Sequence, residues 1–182
     1  MANKVKFNVK NVHYAPVTEE GFGKPVALPG AVSIALAAKG DIENFYADGI
    51  EYFTTSGDEG YEGDLEIALI PDQFRKDILN EVEDENKVLL EDLSKSVNKM
   101  ALGFDIDGDK KTTRFWFYNC STSRPGTESK TNEGKKTPIT DKLTIKCAPN
   151  EKGVVRAKTT EATTESVYTD WYKSVYVTST SE

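Results

Sequence analysis

The chain has 182 residues, 37% of them hydrophobic and 10% aromatic, which is enough apolar and aromatic material for one folded domain and too much for a disordered segment. Its 23 basic and 30 acidic side chains leave a net charge of −7, which disfavours a protein that grips nucleic acid or an anionic membrane surface. No run approaches the roughly 18 apolar residues that cross a bilayer, and the opening MANKVKFNVKNVHY lacks an apolar core of roughly 7 to 15 residues, so a cytosolic origin is expected.

In chain order, apolar residues at every second position predict half-buried strands, first at Val5, Phe7 and Val9, then at Val32, Ile34 and Leu36. GFGKPV at 21–26 reads as a turn, because it lacks the later glycine of a dinucleotide loop and the Lys-Ser/Thr ending of a phosphate loop. ENFYADGIEYFTT places Asp48-Gly49 between two aromatic runs, and that dipeptide suits the two positive φ angles of a type I′ hairpin turn. Leu65, Ile67 and Leu69 continue the alternation as far as Pro71.

There the period changes. Pro71, Asp72, Phe74, Ile78 and Leu79 predict a short helix over 71–80, with Asp72 at its positive end and Asn80 able to take the left-handed conformation that stops it. Residues 81–97 are acidic and weakly periodic, and VLLEDL fits a strand or a helical turn equally. Alternation returns at Met100, Leu102, Phe104 and Ile106, turns at Asp107-Gly108, and comes back through RFWFYNC as a second hairpin. A polar loop fills 121–138. Leu143, Ile145 and Cys147 then predict a strand, and VVRAKTT and WYKSVYV supply the last β-rich pieces. The fold class expected is mainly β, a sandwich or barrel of antiparallel strands with one short flanking helix.

Charge is unevenly spread. Residues 41–92 hold 17 acidic and 3 basic side chains, a net of −14, whereas 122–160 hold nine basic and four acidic, a net of +5. Such a split suits head-to-tail contacts between copies of one chain, and it equally suits pairing within one chain.

Candidate chemistry is sparse. The one histidine, His13, has no motif around it and reads as structural, although any histidine-based hydrolase would have to use it. Asp105, Asp107 and Asp109 alternate as calcium ligands do, but the glycine comes too early and the closing glutamate is missing, so a hairpin turn is the simpler reading. Asn119-Cys120-Ser121 has the form of a glycosylation sequon at a predicted strand end. Cys120 and Cys147 are too few for a disulfide scaffold and too widely spaced for a CxxC pair; buried thiols are expected. No enzyme activity, metal or cofactor is expected.

Three stretches together resemble one family: GYEGDLEIALIPDQFRKDIL at 60–79, FDIDGDKKTTRFWFYNCSTSRP at 104–125 and TPITDKLTIKCAP at 137–149. With the upstream ALPGAVSIALAAKGDIENFYADGIEYF, they resemble the major tail proteins of long-tailed phages and prophages of Gram-positive bacteria, over roughly residues 5–150. Two positions depart from that pattern: Asn80, where glycine often follows the helix, and Lys87, where an Asn-Gly turn is common.

The resemblance implies one tail tube domain over 1–182, a virion structural protein assembled in the host cytoplasm. It implies hexameric rings of this chain stacked into a tube, with a tape measure protein, distal tail proteins and a terminator as partners, and DNA passing through without specific binding. Within that frame Arg124, Lys130, Lys135 and Lys136 are candidates for inter-subunit contact, and Asp41, Glu43, Asp48, Glu51, Asp58 and Glu59 for an acidic lumen or ring face. The alternative is a secreted β-sandwich that binds carbohydrate, with Trp116, Trp171 and Tyr172 as stacking residues.

Overall fold

A computed structural model describes residues 3–178 except 41, 58, 132, 133 and 135. Thirteen strands and two short helices occur among them: β1 Lys6–Thr18, β2 Gly21–Phe22, β3 Val26–Ala27, β4 Ala31–Lys39, β5 Ile42–Ala47, β6 Ile50–Ser56, β7 Gly60–Ile67, α1 Asp72–Asp77, β8 Val82–Glu83, β9 Leu89–Leu90, β10 Met100–Gly108, β11 Thr113–Thr122, β12 Asp141–Cys147, β13 Arg156–Lys158 and α2 Glu165–Thr169. The expected fold class, mainly β and antiparallel with a flanking helix, is the one observed.

The main sheet runs β2-β1-β10-β11-β12-β7-β4, with β3 added beside β1 and β13 beside β11. Every pairing in it is antiparallel. Side chains alternate across a strand, so β10 sends Met100, Leu102 and Phe104 to one core and Ala101 to another, and Asp105 follows Ala101. Both faces of β10 are therefore covered, which accounts for its unbroken run of buried residues. The larger core adds Tyr14, Leu28, Leu65, Ile67, Leu143 and Ile145, and α1 lies against it through Phe74, with Ile78 and Leu79 just beyond. Tyr14 meets the edge of the Phe74 ring at 5.0 Å and donates a hydrogen bond to Asp77 at 2.8 Å.

The second core lies on the opposite face, where Trp116 and Tyr118 of β11 meet Trp171 and Val175 of the C-terminal segment. WYKSVYV, expected as β, is instead a turn and an irregular strap that follow α2. Aromatic side chains of β11 hold it by bonds to its backbone rather than by a ladder: the Trp116 indole N–H donates to the Trp171 carbonyl at 3.0 Å, and the Tyr118 hydroxyl to the Tyr176 carbonyl at 2.6 Å. A Cβ at Gly103 would stand 2.7 Å from the Trp116 ring, so glycine is what lets that indole lie flat across β10.

Local chemistry explains the turns. Asp48 and Gly49 have φ of 55° and 76°, the pair of positive angles expected of the hairpin joining β5 and β6. The helix stops at Asp77, three residues short of the expected end, and Asn80 takes the left-handed φ of 60° foreseen for it. VLLEDL resolves into β9 followed by a turn, and Lys87, φ 66°, makes the β8–β9 turn in place of an Asn-Gly pair. The second long hairpin does not turn at Asp107-Gly108. Those residues remain in β10, and the chain reverses over 109–112, where the Asn3 side chain accepts hydrogen bonds from the backbone N–H groups of Lys110 and Lys111, both at 3.0 Å.

β11 carries one extra residue opposite β10. Met100 faces Cys120 and Leu102 faces Phe117, with Asn119 at φ 38° taking up the excess. The bulge resets the alternation, so Cys120 and Thr122 point inward where strict period two would have turned them out.

Candidate assembly surface

Among the described residues β5 and β6 pair only with each other and form a sheet of their own. The turn residues hold the register, with Ala47 opposite Ile50 and Phe45 opposite Phe53. Tyr46, Ile50, Tyr52 and Phe53 are each more than 60% exposed, and because Tyr52 and Phe53 are adjacent on one strand they mark both faces of the hairpin as uncovered. A two-stranded hairpin is marginal in water on its own, and apolar aromatic surface on both sides adds to its need for a covering partner. The segment 42–56 carries three acids, Glu43, Asp48 and Glu51, and no Lys or Arg.

Elsewhere the larger core is left open at one end. β13 pairs β11 only at Phe115–Phe117 and β12 pairs β11 only beyond the bulge, so the sheet splits and a cleft of about 760 Å³ with both polar and apolar lining remains. Ile34 and Leu36 of β4 form one wall of it and Phe104, Phe115 and Phe117 the other. The three phenylalanines stack, Phe104 lying 5.2 Å from Phe115 and 5.7 Å from Phe117. Lys4, Lys6, Arg156 and Lys158 rim the cleft, against a single acid, Asp107. Lys10 bonds Asp107 at 2.6 Å, and that hydrogen bond, helped by one from Thr112, lowers the Asp107 pKa below the ordinary carboxylate value.

The charged segments meet within the chain. Lys142 and Lys146 of the basic stretch lie across the β12–β7 ladder from the acidic one, with Lys142 at 2.7 Å from Asp64 and Lys146 at 3.4 Å from Glu62. Lys39 of β4 reaches Glu62 from the other side at 2.9 Å. The lysine hydrogen bonds lower the pKa of Glu62 and of Asp64, while Glu66 is lowered by bonds from Thr140 and Ser33. Part of the charge split is thus absorbed by pairing within one chain.

Of the residues foreseen for inter-subunit contact, Arg124 is committed inside the chain. Its guanidinium donates to the carbonyls of Leu79, Asp92 and Lys95 and pairs with Glu91 at 3.2 Å, tying the start of the polar loop to the end of α1. Lys130 and Lys136 are exposed on the loop, and Lys135 lies outside the described residues. On the acidic side Asp48, Glu51 and Glu59 are exposed; Asp41, Asp58 and the side chain of Glu43 lie outside the described residues. The hairpin aromatics were missed as site residues because alternation alone reads them as half-buried.

The stacking residues of the carbohydrate reading are not available as a platform. Trp116 is fully buried and Trp171 is 3% exposed. Tyr172 packs on His13, with ring centroids 4.2 Å apart, and donates to Asp105 at 2.6 Å. The three aspartates that alternate as calcium ligands diverge to separate partners. Asp105, 1% exposed, takes hydrogen bonds from Tyr172 and Asn11; Asp107 takes those of Lys10 and Thr112; Asp109 accepts from the Lys4 N–H. Arg114 stacks on the Tyr168 ring, with its buried Nε 3.7 Å from Asp105 and without a hydrogen bond. Burial and the Asp105 bond push the Tyr172 phenol well above its ordinary pKa, and burial pushes Tyr118 up to about 12. These groups anchor the strap rather than face a ligand.

The chain matches no protein family by profile and no curated protein by sequence. Among solved structures it is similar to one described as the cap that terminates the tube of the anti-feeding prophage, with a TM-score of 0.45 and 10% identity over 86% of this chain and 93% of that one.

Proposed function

We propose that the chain is a structural subunit of a phage tail, a tail tube protein that assembles with copies of itself. The observation that carries this reading is the hairpin β5–β6, whose aromatic side chains are uncovered on both faces. The resemblance of residues 5–150 to major tail proteins supports the same assignment. A neighbouring copy supplies a cover of the right kind: a cleft with the apolar side chains of Ile34, Leu36, Phe104, Phe115 and Phe117 in its walls and with cations that complement an acidic hairpin. Stacked hexameric rings, a tape measure protein within and DNA conducted through the tube complete the proposal. A chain of net charge −7 offers no broad cationic field to hold the passing duplex.

The test is a pair of substitutions at the hairpin, Tyr52→Ser with Phe53→Ser. Both side chains are exposed in the single chain, so the thermal midpoint is expected to stay within the small range of surface changes, about 0.5 kcal/mol per site. Light scattering across a concentration series is expected to show self-association by the parent chain and none by the variant. Equal association by both would remove the hairpin from the interface.

A further inference from the structure

Cys120 and Cys147 face each other directly across β11 and β12. The Ala148 N–H donates to the Asn119 carbonyl at 3.3 Å, which flanks the cysteine pair and makes it a non-hydrogen-bonded position of the antiparallel ladder. That is where opposed side chains come closest, with α-carbons about 4.5 Å apart, inside the range a disulfide spans. The two sulfurs are 2.7 Å apart and both are free thiols. The pairing depends on the β11 bulge, without which Cys120 would point to the opposite face.

Both thiols are buried, and Cys147 is the one nearer the surface. A surface hollow of about 340 Å³ is lined by Lys99, Asn119, Ser121, Lys146 and Cys147, so Cys147 forms part of its wall while Cys120 lies behind it. Its charged lining is Lys39, Lys99 and Lys146 against Glu59 and Glu62, with Glu62 paired to Lys39 and Lys146, so Lys99 leaves the hollow weakly cationic and open to an anionic oxidant.

We propose that Cys120 and Cys147 are an oxidisable dithiol, converted by a small anionic disulfide such as oxidised glutathione into a cross-strand disulfide that staples β11 to β12. The Cys147 thiolate attacks one sulfur of the oxidant, forming a mixed disulfide and releasing one molecule of thiol. The Cys120 thiolate then displaces the second, so two protons and two electrons leave the protein and one oxidant yields two thiols. Burial, with the bond to Cys147, holds the Cys120 thiol in its protonated form, so the second step waits on a local opening of the strand pair. The staple would close the loop that contains the whole polar segment 123–140. Its use, locking a particle built in a reducing cytosol once it meets oxidising surroundings, rests on the tail reading; the oxidation itself does not.

The full-length chain is incubated with oxidised glutathione a few degrees below its melting point, then examined by intact mass and thiol titration. Loss of both thiols with a mass decrease of two hydrogens, no retained glutathione and no covalent dimer is expected. The melting midpoint is expected to rise by roughly 5–10 °C and to return on reduction. Cys120→Ser is expected to trap one glutathione on Cys147, whereas Cys147→Ser stays unmodified. Two free thiols after that treatment, a lasting adduct on the parent chain, a covalent dimer, or the reverse pattern in the two variants would overturn the proposal. Tube formation by the parent chain is scored separately, so failure to assemble leaves the dithiol result intact.

Discussion

The Tyr172 hydroxyl stands at the junction of three structural demands: it hydrogen-bonds a buried carboxylate at 2.6 Å, its ring stacks on His13, and its backbone belongs to the C-terminal strap. Removing the hydroxyl alone, in Tyr172→Phe, leaves Asp105 with Asn11 as its hydrogen-bonding side chain and Arg114 at 3.7 Å, and is expected to cost about 1–3 kcal/mol in thermal or urea unfolding. The same phenol sets an alkaline limit. Its pKa is raised in the folded chain, so its contribution is fully present below the unfolded tyrosine value of about 10 and is lost as pH rises beyond it. Melting midpoints measured from neutral to alkaline pH are expected to fall above about pH 10, and to fall less steeply in Tyr172→Phe. His13, the one histidine, is thus engaged in packing the strap, with its Nδ1 2.8 Å from the Asn11 carbonyl.

At the scale of elements, the strap is the piece that closes the second core. Trp171→Ala is expected to destabilise the chain by about 3–5 kcal/mol in denaturant unfolding, since a large side chain 3% exposed leaves a cavity against Trp116 and Ala101. An effect near zero would mean the strap is not docked. This is also where sequence reading fell short. β10 and β12 were legible because their apolar residues alternate, β11 because of its unbroken aromatic run, and the β5–β6 turn because Asp48-Gly49 has one obvious conformation. The strap was not, because Trp171, Tyr172, Val175 and Tyr176 have strand-like composition but are fixed by packing and by single bonds to distant side chains, the Trp171 and Tyr176 carbonyls accepting from Trp116 and Tyr118 and the Tyr172 hydroxyl donating to Asp105. Asp107-Gly108 misled for a related reason: Asn3, more than a hundred residues away, captures the backbone beyond it. The candidate surface was half legible. Charge flagged the hairpin acids, whereas the exposure of Tyr46, Tyr52 and Phe53 follows from β5–β6 standing apart from the main sheet and its two cores, a fact of topology. Arg124 was singled out for its charge, yet what it satisfies is a set of carbonyls at the end of α1 and the turn beyond β9.

For the whole molecule, the acidic and basic segments turn out to be partly complementary within one chain, through Lys142, Lys146 and Lys39 on Asp64 and Glu62. Those pairs are exposed and individually weak, so stability rests on the two cores, and the proposed association is assigned to the hairpin and the cleft. In the proposed assembly, burial of the hairpin aromatics is the main driving force, with the acidic hairpin and cationic rim setting orientation. Negative-stain electron microscopy of the purified chain across a concentration series, read beside light scattering, tests that claim most directly. Rings or tubes that form with rising concentration are the expected result. Monodisperse single chains at every concentration would contradict it.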